Sequence, residues 1–373
     1  VNLIPEARIK ITRNDEQPKV NRSATALRTR HPGGMSTAEF DPEAKERALR
    51  AESSSWDVSN PVPANPQDIP IIDISAWVAS DDNADLTAIG ANVNAACETV
   101  GFFQLTGHTV ERSLIDEMFD MNKRFFALPL DAKQQIRMDR TEWPVGGVGY
   151  LPMYSRKLPS RAKANLNEAF LIKGNRDLTL GDSQWLKENQ LPGFRDTVIR
   201  YATAINELAL KLLPIYATAL GLSRDFFAPG FAHPSWRLRM THYPPVPKER
   251  EIDADFGIPP HVDTTFFTLL LQNAPGLTVY NQKRECWIQA PVVDGAFVVN
   301  SGELLKQWTN DRYVSVRHFA NNDAADSRYS IPFFYNAAAD YPMECLPTCH
   351  SADNPPRYPT ISYQQSQAAA QGE

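Results

Sequence analysis

The sequence predicts an α+β fold, with helices gathered ahead of a single β core. Three observations carry that expectation. Helical apolar stripes fill the first half of the chain, as at Leu86, Ile89, Val93 and Ala96. From Trp236 onward the pattern shortens to seven strand-like segments, divided by turns such as Ala274-Pro275-Gly276 and Asp294-Gly295. Short strands at that spacing imply a sandwich or barrel, and helices followed by strands imply one core rather than alternating units. No internal repeat is visible.

Composition bounds the function. The 373 residues suffice for one large domain or two modest ones, and 42% of them are hydrophobic. A formal charge of -6 and a pI near 5.7 argue against a general nucleic-acid or membrane-surface binder. No apolar run approaches a membrane span. Cys97, Cys286, Cys345 and Cys349 are too scattered for a disulfide framework, which fits a reducing, cytoplasmic setting.

Taken in order, residues 1–66 read as a polar extension, with one helix expected over Pro42–Ala51. No signal-peptide apolar core is visible in it. Ile69–Ile74 and Gly101–Leu105 read as buried strands around the stripe that starts at Leu86. A helix is expected over Val110–Phe126, stopping before Pro129. Arg156, Lys157, Arg161 and Lys163 form a basic cluster in an acidic chain, either a solvated face or a pocket rim. Phe170–Ile172 reads as a strand, and a long helix, kinked at Pro214, as spanning Phe194–Leu220. The expected core strands are Trp236–Tyr243, Phe266–Gln272, Leu277–Tyr280, Trp287–Ala290, Ala296–Asn300, Tyr313–His318 and Arg328–Asn336. A short helix, Glu303–Trp308, interrupts them.

The chemistry concentrates at His261-Val262-Asp263. Residues two apart on a strand share a face, so His261 and Asp263 can look inward together. With His318 they form a 2-His-1-carboxylate set, which leaves positions of an Fe(II) ion open. A bidentate 2-oxo acid fills two such positions and O2 the third. Reduction of O2 takes four electrons: two from oxidative decarboxylation of the oxo acid, two from a substrate C–H bond. A dicarboxylate co-substrate also needs a cation at its far end. Arg328 and Ser330 share a strand face, and Arg328 offers a carboxylate a two-pronged fork. Tyr243 can add a hydroxyl. Each histidine alone would more often be a structural residue; the joint pattern is the specific signal. His242, His233 and His108 read as structural. Cys345, Cys349 and His350 lack a fourth ligand for zinc.

These residues resemble the isopenicillin-N-synthase-like branch of the 2-oxoglutarate- and Fe(II)-dependent dioxygenases. The likeness runs through Phe125-Phe126-Ala127-Leu128-Pro129, His242-Tyr243-Pro244-Pro245, His261-Val262-Asp263, Asn300-Ser301-Gly302 and Arg328-Tyr329-Ser330-Ile331-Pro332. It covers about residues 67–365. It implies a double-stranded β-helix, or jelly-roll, core over 236–336, flanked by N-terminal helices in 67–235. It also implies iron on His261, Asp263 and His318, and 2-oxoglutarate on Arg328 and Ser330 with help from Tyr243. Thr241 departs from the Asn usual in the family, two residues before the Tyr.

The resemblance implies oxidation of a small molecule: hydroxylation, desaturation or ring rearrangement. Strand alternation from Asp263 and Ser330 places Phe267 and Phe334 on the pocket wall. Tyr154 and Arg156 are expected at its mouth, with an anionic substrate group met by Arg156, Lys157 or Arg161. Residues 337–373 are expected either to close over the site or to pack outside it. Two alternatives stay open: an oxidase of the same fold that uses no 2-oxoglutarate, and a non-catalytic binding protein. The oligomeric state is open as well.

Overall fold

In the computed structural model, residues 58, 60–80, 82–138, 148–155, 165–174, 185–245, 256–322 and 324–371 are described. All lie within one unit, Pro42–Glu373. The helix expected over Pro42–Ala51 and the basic cluster at Arg156–Lys163 lie outside the described residues.

Two β-sheets make the core. The smaller runs β1-β10-β9-β12-β7, from Val62–Pro63, Cys286–Gln289, Leu277–Asn281, His318–Ala320 and Ile258–His261. The larger runs β2-β3-β11-β8-β13-β6-β5-β4. Its strands are Ile71–Asp73, Phe102–Thr106, Phe297–Ser301, Phe267–Gln272, Arg328–Asn336, Ser235–Tyr243, Glu168–Lys173 and Gly149–Leu151. The polar extension therefore ends earlier than expected. Val62 pairs with Ile288, and Val58 is buried beside Phe256, Trp287 and Phe319.

Apolar residues fill both sides of the large sheet. On its outer face lies the helix Phe194–Ala219, which runs on through Pro214 and buries Val198, Ile205, Leu208 and Leu212. The helix Asn83–Thr99 packs on it, started by Asp82, whose carboxylate accepts from Ala84 N at 2.6 Å. Between the sheets a second cluster joins Phe102, Leu277, Val279, Ile288 and Val298.

Strand β13 is central, pairing with β6 on one side and β8 on the other. Its Pro332 has no N–H to donate, and pairing toward β6 lapses at Ile331–Pro332 while that toward β8 continues. Alternation along β13 sends Arg328, Ser330, Pro332 and Phe334 to the inter-sheet side, and Tyr335 to the helix side.

Two strand expectations need correction. The segment before His318 is irregular, and the strand begins at His318 itself. Strand β7 ends at His261, so Asp263 sits in the turn beyond it. That turn also breaks the alternation that was counted forward to Phe267. Phe267 points to the helix side, fully buried, and stacks on Tyr216 and Tyr335 at centroid distances of 5.3 and 5.2 Å. It does not line the inter-sheet pocket.

Candidate metal centre

His261 and His318 face each other in register across β7 and β12. Their ring centroids lie 4.4 Å apart. Each ring is held the same way: Nδ1 of His261 lies 2.9 Å from Pro259 O, and Nδ1 of His318 3.2 Å from Val316 O. A backbone carbonyl can only accept, so each Nδ1 carries the proton and each Nε2 keeps a lone pair for a metal.

Asp263 completes the set from the turn. Its Oδ1 lies 3.5 Å from His261 Nε2 and 3.7 Å from His318 Nε2. Its Oδ2 accepts from Thr268 Oγ1 at 2.8 Å and Asn300 Nδ2 at 3.0 Å. One oxygen is thus engaged by the protein, and the other is turned to the imidazoles. Backbone bonds lock the turn, with Glu303 N donating to Asp263 O at 2.8 Å. Gly302 approaches Thr265 so closely that a Cβ would overlap the Thr265 carbonyl oxygen.

The donor chemistry fits a divalent iron. The three ligand atoms lie within 4.8 Å of one another. Burial, and then the neighbouring His261, pull the His318 imidazole down to about 4, so it is neutral at physiological pH. Burial opposes ionisation of Asp263, but His318 and His261, with the hydrogen bond from Asn300, hold the carboxyl well below its usual range. Two imidazoles and one carboxylate from a single face suit Fe(II) with open positions. Among the described residues this is the only His/Cys/Asp/Glu cluster with metal-site spacing.

The same pocket reaches the expected co-substrate residues. Its lining includes His261, Asp263, His318, Tyr243, Arg328 and Ser330. Arg328 is 1% exposed, opposite Tyr243 in the ladder, with its guanidinium carbon 4.7 Å from the Tyr243 ring centroid. It donates to Gln272 Oε1 at 2.9 Å and Ala274 O at 3.2 Å. Ser330 Oγ lies 3.4 Å from Tyr243 Oη. The turn that admits Arg328 needs glycine: Gly276 has φ +143°, and a Cβ there would sit 2.7 Å from Arg328 Nε. Thr241, where the family's Asn usually stands, is buried and accepts from Arg239 Nε at 3.2 Å.

Phe334 lines the pocket, under the Arg237 guanidinium at 5.9 Å. Tyr154 is 63% exposed, with φ +56°, and is not among the pocket's lining residues. Arg156 lies outside the described residues. A roomier cavity of about 260 Å³ lies among Phe226, Phe227, Trp308 and Tyr341, and contains no histidine. Two further histidines have structural partners among the described residues. His108 bonds Gly295 O, and His242 joins Glu168 and Ser327.

Comparison with known proteins agrees with this geometry. Residues 235–337 match the 2OG-Fe(II) oxygenase superfamily, and residues 69–192 match the N-terminal region of non-haem dioxygenases in morphine synthesis. The 2-oxoglutarate-Fe(II) type oxidoreductase hxnY of Emericella nidulans is 35% identical over 304 residues, covering 79% of this chain and 86% of that protein. The 2-oxoglutarate-dependent dioxygenase tropC of Talaromyces stipitatus is 30% identical over 72% of this chain and 86% of that protein. Among solved structures, a full-length Neurospora crassa protein in complex with alpha-KG and thymine superposes with a TM-score of 0.72 at 24% identity. That match covers 81% of this chain and 97% of the Neurospora one. The chain belongs to the 2-oxoglutarate- and Fe(II)-dependent dioxygenases. It is an oxidoreductase with a jelly-roll core that uses Fe(II), 2-oxoglutarate and O2 on small substrates. No helix among the described residues is long and apolar enough to cross a membrane.

Proposed function

We propose that this enzyme oxidises a mainly apolar or aromatic small molecule. His261, Asp263 and His318 hold its iron, and Arg328, Ser330 and Tyr243 anchor the far carboxylate of 2-oxoglutarate. The observation that supports this reading best is the continuity of one pocket between the three donors and the buried Arg328. Bound iron supplies O2 activation, with electrons from decarboxylation of the oxo acid and from the substrate. The chain's own residues orient and exclude. Arg328 and Ser330 fix the co-substrate's distal end, and Tyr243 packs its ring on the guanidinium. Phe102, Leu270, Pro332 and Phe334 keep the space between apolar. Phe334 serves as a substrate wall. Tyr154 and Arg156 stay as candidates for its mouth.

The C-terminal segment favours a covering role over a loose tail. Its helix Tyr363–Gln371 places Gln367 Nε2 3.2 Å from Thr264 Oγ1, next to the metal-binding carboxylate of Asp263.

The test is stoichiometry. A substrate-dependent burst of succinate and CO2, one of each per oxidised product, supports the reading. Product formed without succinate would show instead an oxidase that draws all its electrons from the substrate.

A further inference from the structure

On the face of β6 turned away from the metal pocket, a serine, a histidine and a glutamate are chained together. Strand register builds the chain. Glu168 on β5 and Tyr329 on β13 both pair with His242 on β6, so the three side chains form one row across the sheet. Ser327, one residue before β13, reaches the same row. His242 Nδ1 lies 2.8 Å from Glu168 Oε1, and its Nε2 lies 2.9 Å from Ser327 Oγ. Neither Ser327, His242 nor Glu168 lines the metal pocket.

The direction of the chain follows from its buried end. Burial opposes ionisation of Glu168, but hydrogen bonds from His242, Lys133 and Tyr150 keep the carboxyl ionised. Lys133 Nζ and Tyr150 Oη both take its Oε2, at 2.8 and 2.5 Å, which leaves Oε1 to the imidazole. A carboxylate only accepts, so Nδ1 of the neutral imidazole carries the proton and Nε2 keeps a lone pair. The Ser327 hydroxyl then donates to Nε2. The rings of Phe126 and Tyr329 stack on the imidazole at 5.5 and 5.0 Å and fix its plane.

Exposure rises along the chain. Glu168 is 5% exposed and the His242 side chain 13%, while Ser327 is half-buried beside the exposed Ala324, Ala325 and Asp326. The chain therefore ends on a hydroxyl that a molecule from solvent can reach. Lys133 already balances the charge of Glu168, so neutralising that carboxylate requires neither His242 nor Ser327. Tyr329 also meets Ser327, and burial keeps its phenolic proton in place. A neutral hydroxyl there can donate to an oxygen that turns negative when Ser327 attacks.

We propose that Ser327 is a nucleophile with His242 as its general base, and that this second site cleaves small uncharged esters. A nucleophile bonded to a base, and the base to a group that orients it, is the arrangement acyl transfer needs. Glu168 is the positioning residue, holding the imidazole in the required tautomer. Asp326 disfavours anionic acyl donors, and the half-buried hydroxyl favours short ones. In the first step Ser327 Oγ bonds to the ester carbonyl carbon while its proton passes to His242 Nε2. The bond from that carbon to the alcohol oxygen breaks, and the alcohol leaves with the proton. Water, deprotonated by the same Nε2, then releases the acid and restores the serine.

The test is covalent labelling of the full chain with a fluorophosphonate, with a chelator present so that no metal contributes. Peptide mapping should find the phosphonyl group on Ser327, and 4-nitrophenyl acetate should release a burst of about one nitrophenolate per chain. Both are expected to vanish in Ser327→Ala. His242→Gln should slow labelling about 100-fold or more. Glu168→Asp should keep more of the rate than Glu168→Gln. Wild type left unlabelled at Ser327 overturns the proposal, and so does a labelling rate unchanged in His242→Gln. Should His242→Gln not fold, wild type unfolded in urea takes its place: Ser327 should no longer label, and equal labelling of the folded and unfolded chains overturns the proposal.

Discussion

Thr268 Oγ1 donates to Asp263 Oδ2 at 2.8 Å, from a strand neighbouring the one that carries Arg328. That bond, with the one from Asn300, decides which carboxylate oxygen is left for the metal. Removing such partners typically weakens metal binding by about 10–100-fold. Thr268→Val and Asn300→Leu should each lower Fe(II) affinity within that range while leaving the far-ultraviolet spectrum unchanged. Anaerobic competition against a chelator measures it. Unaltered affinity in both variants would mean that the protein does not choose the ligand oxygen.

Arg328→Lys keeps the charge but loses the fork and two described donor bonds. A charge-assisted pair is worth about 1.5–3 kcal/mol, so the KM for 2-oxoglutarate should rise about 10–150-fold. Ser330→Ala removes a single hydroxyl, and a rise of about 2–10-fold is expected. Steady-state kinetics with varied 2-oxoglutarate separates the two. A KM unmoved by Arg328→Lys would place the anchor elsewhere.

Phe334 and Phe267 should part company. Phe267→Ala hollows the packed layer against Tyr216 and Tyr335, at a cost of about 3–5 kcal/mol of stability. Phe334, half-buried on the pocket wall, should cost less and change which substrates stimulate succinate release. Urea unfolding and a substrate panel read the two effects. Equal destabilisation with no shift in substrate preference would remove Phe334 from the pocket.

Glu168 anchors a buried network beneath β6, bonded to Lys133 at 2.8 Å, Tyr150 at 2.5 Å and His242 at 2.8 Å. Burial opposes its ionisation, but hydrogen bonds from His242, Lys133 and Tyr150 outweigh it and hold the carboxyl below the ordinary 4.5. A lowered folded value means the unfolded chain binds the proton first. The stabilisation is therefore full above about 4.5 and is lost as pH falls through the folded value. Glu168→Gln should flatten that acid limb. At neutral pH it leaves Lys133 buried without its partner, at a cost of about 3–5 kcal/mol. Unfolding midpoints across the acid range test the sign. An identical acid slope in wild type and variant would contradict it.

Much of the site was legible because its chemistry is compact in sequence. His261-x-Asp263, His318 and Arg328-x-Ser330 each announce a donor type, and together they announce the co-substrate. Alternation misplaced Phe267, while Asp263 joins His261 and His318 as expected but from beyond the strand end. Period-two counting holds only inside a strand, and β7 ends at His261. The strand β7 itself was not among the expected core strands, and its Pro259 and Pro260 have no N–H to give a ladder. The burial of Arg239 and its bond to Asn167, 72 residues away, depend on contacts made across the fold. No local pattern encodes them.

The most direct measurement is an anaerobic titration of Fe(II) and then 2-oxoglutarate into wild type and His261→Ala. The expected result is one iron per chain in wild type, followed by one 2-oxoglutarate bound only once the metal is present, with both lost in His261→Ala and the fold retained. Wild-type protein that binds no Fe(II), or that binds 2-oxoglutarate equally well with His261 removed, would contradict it.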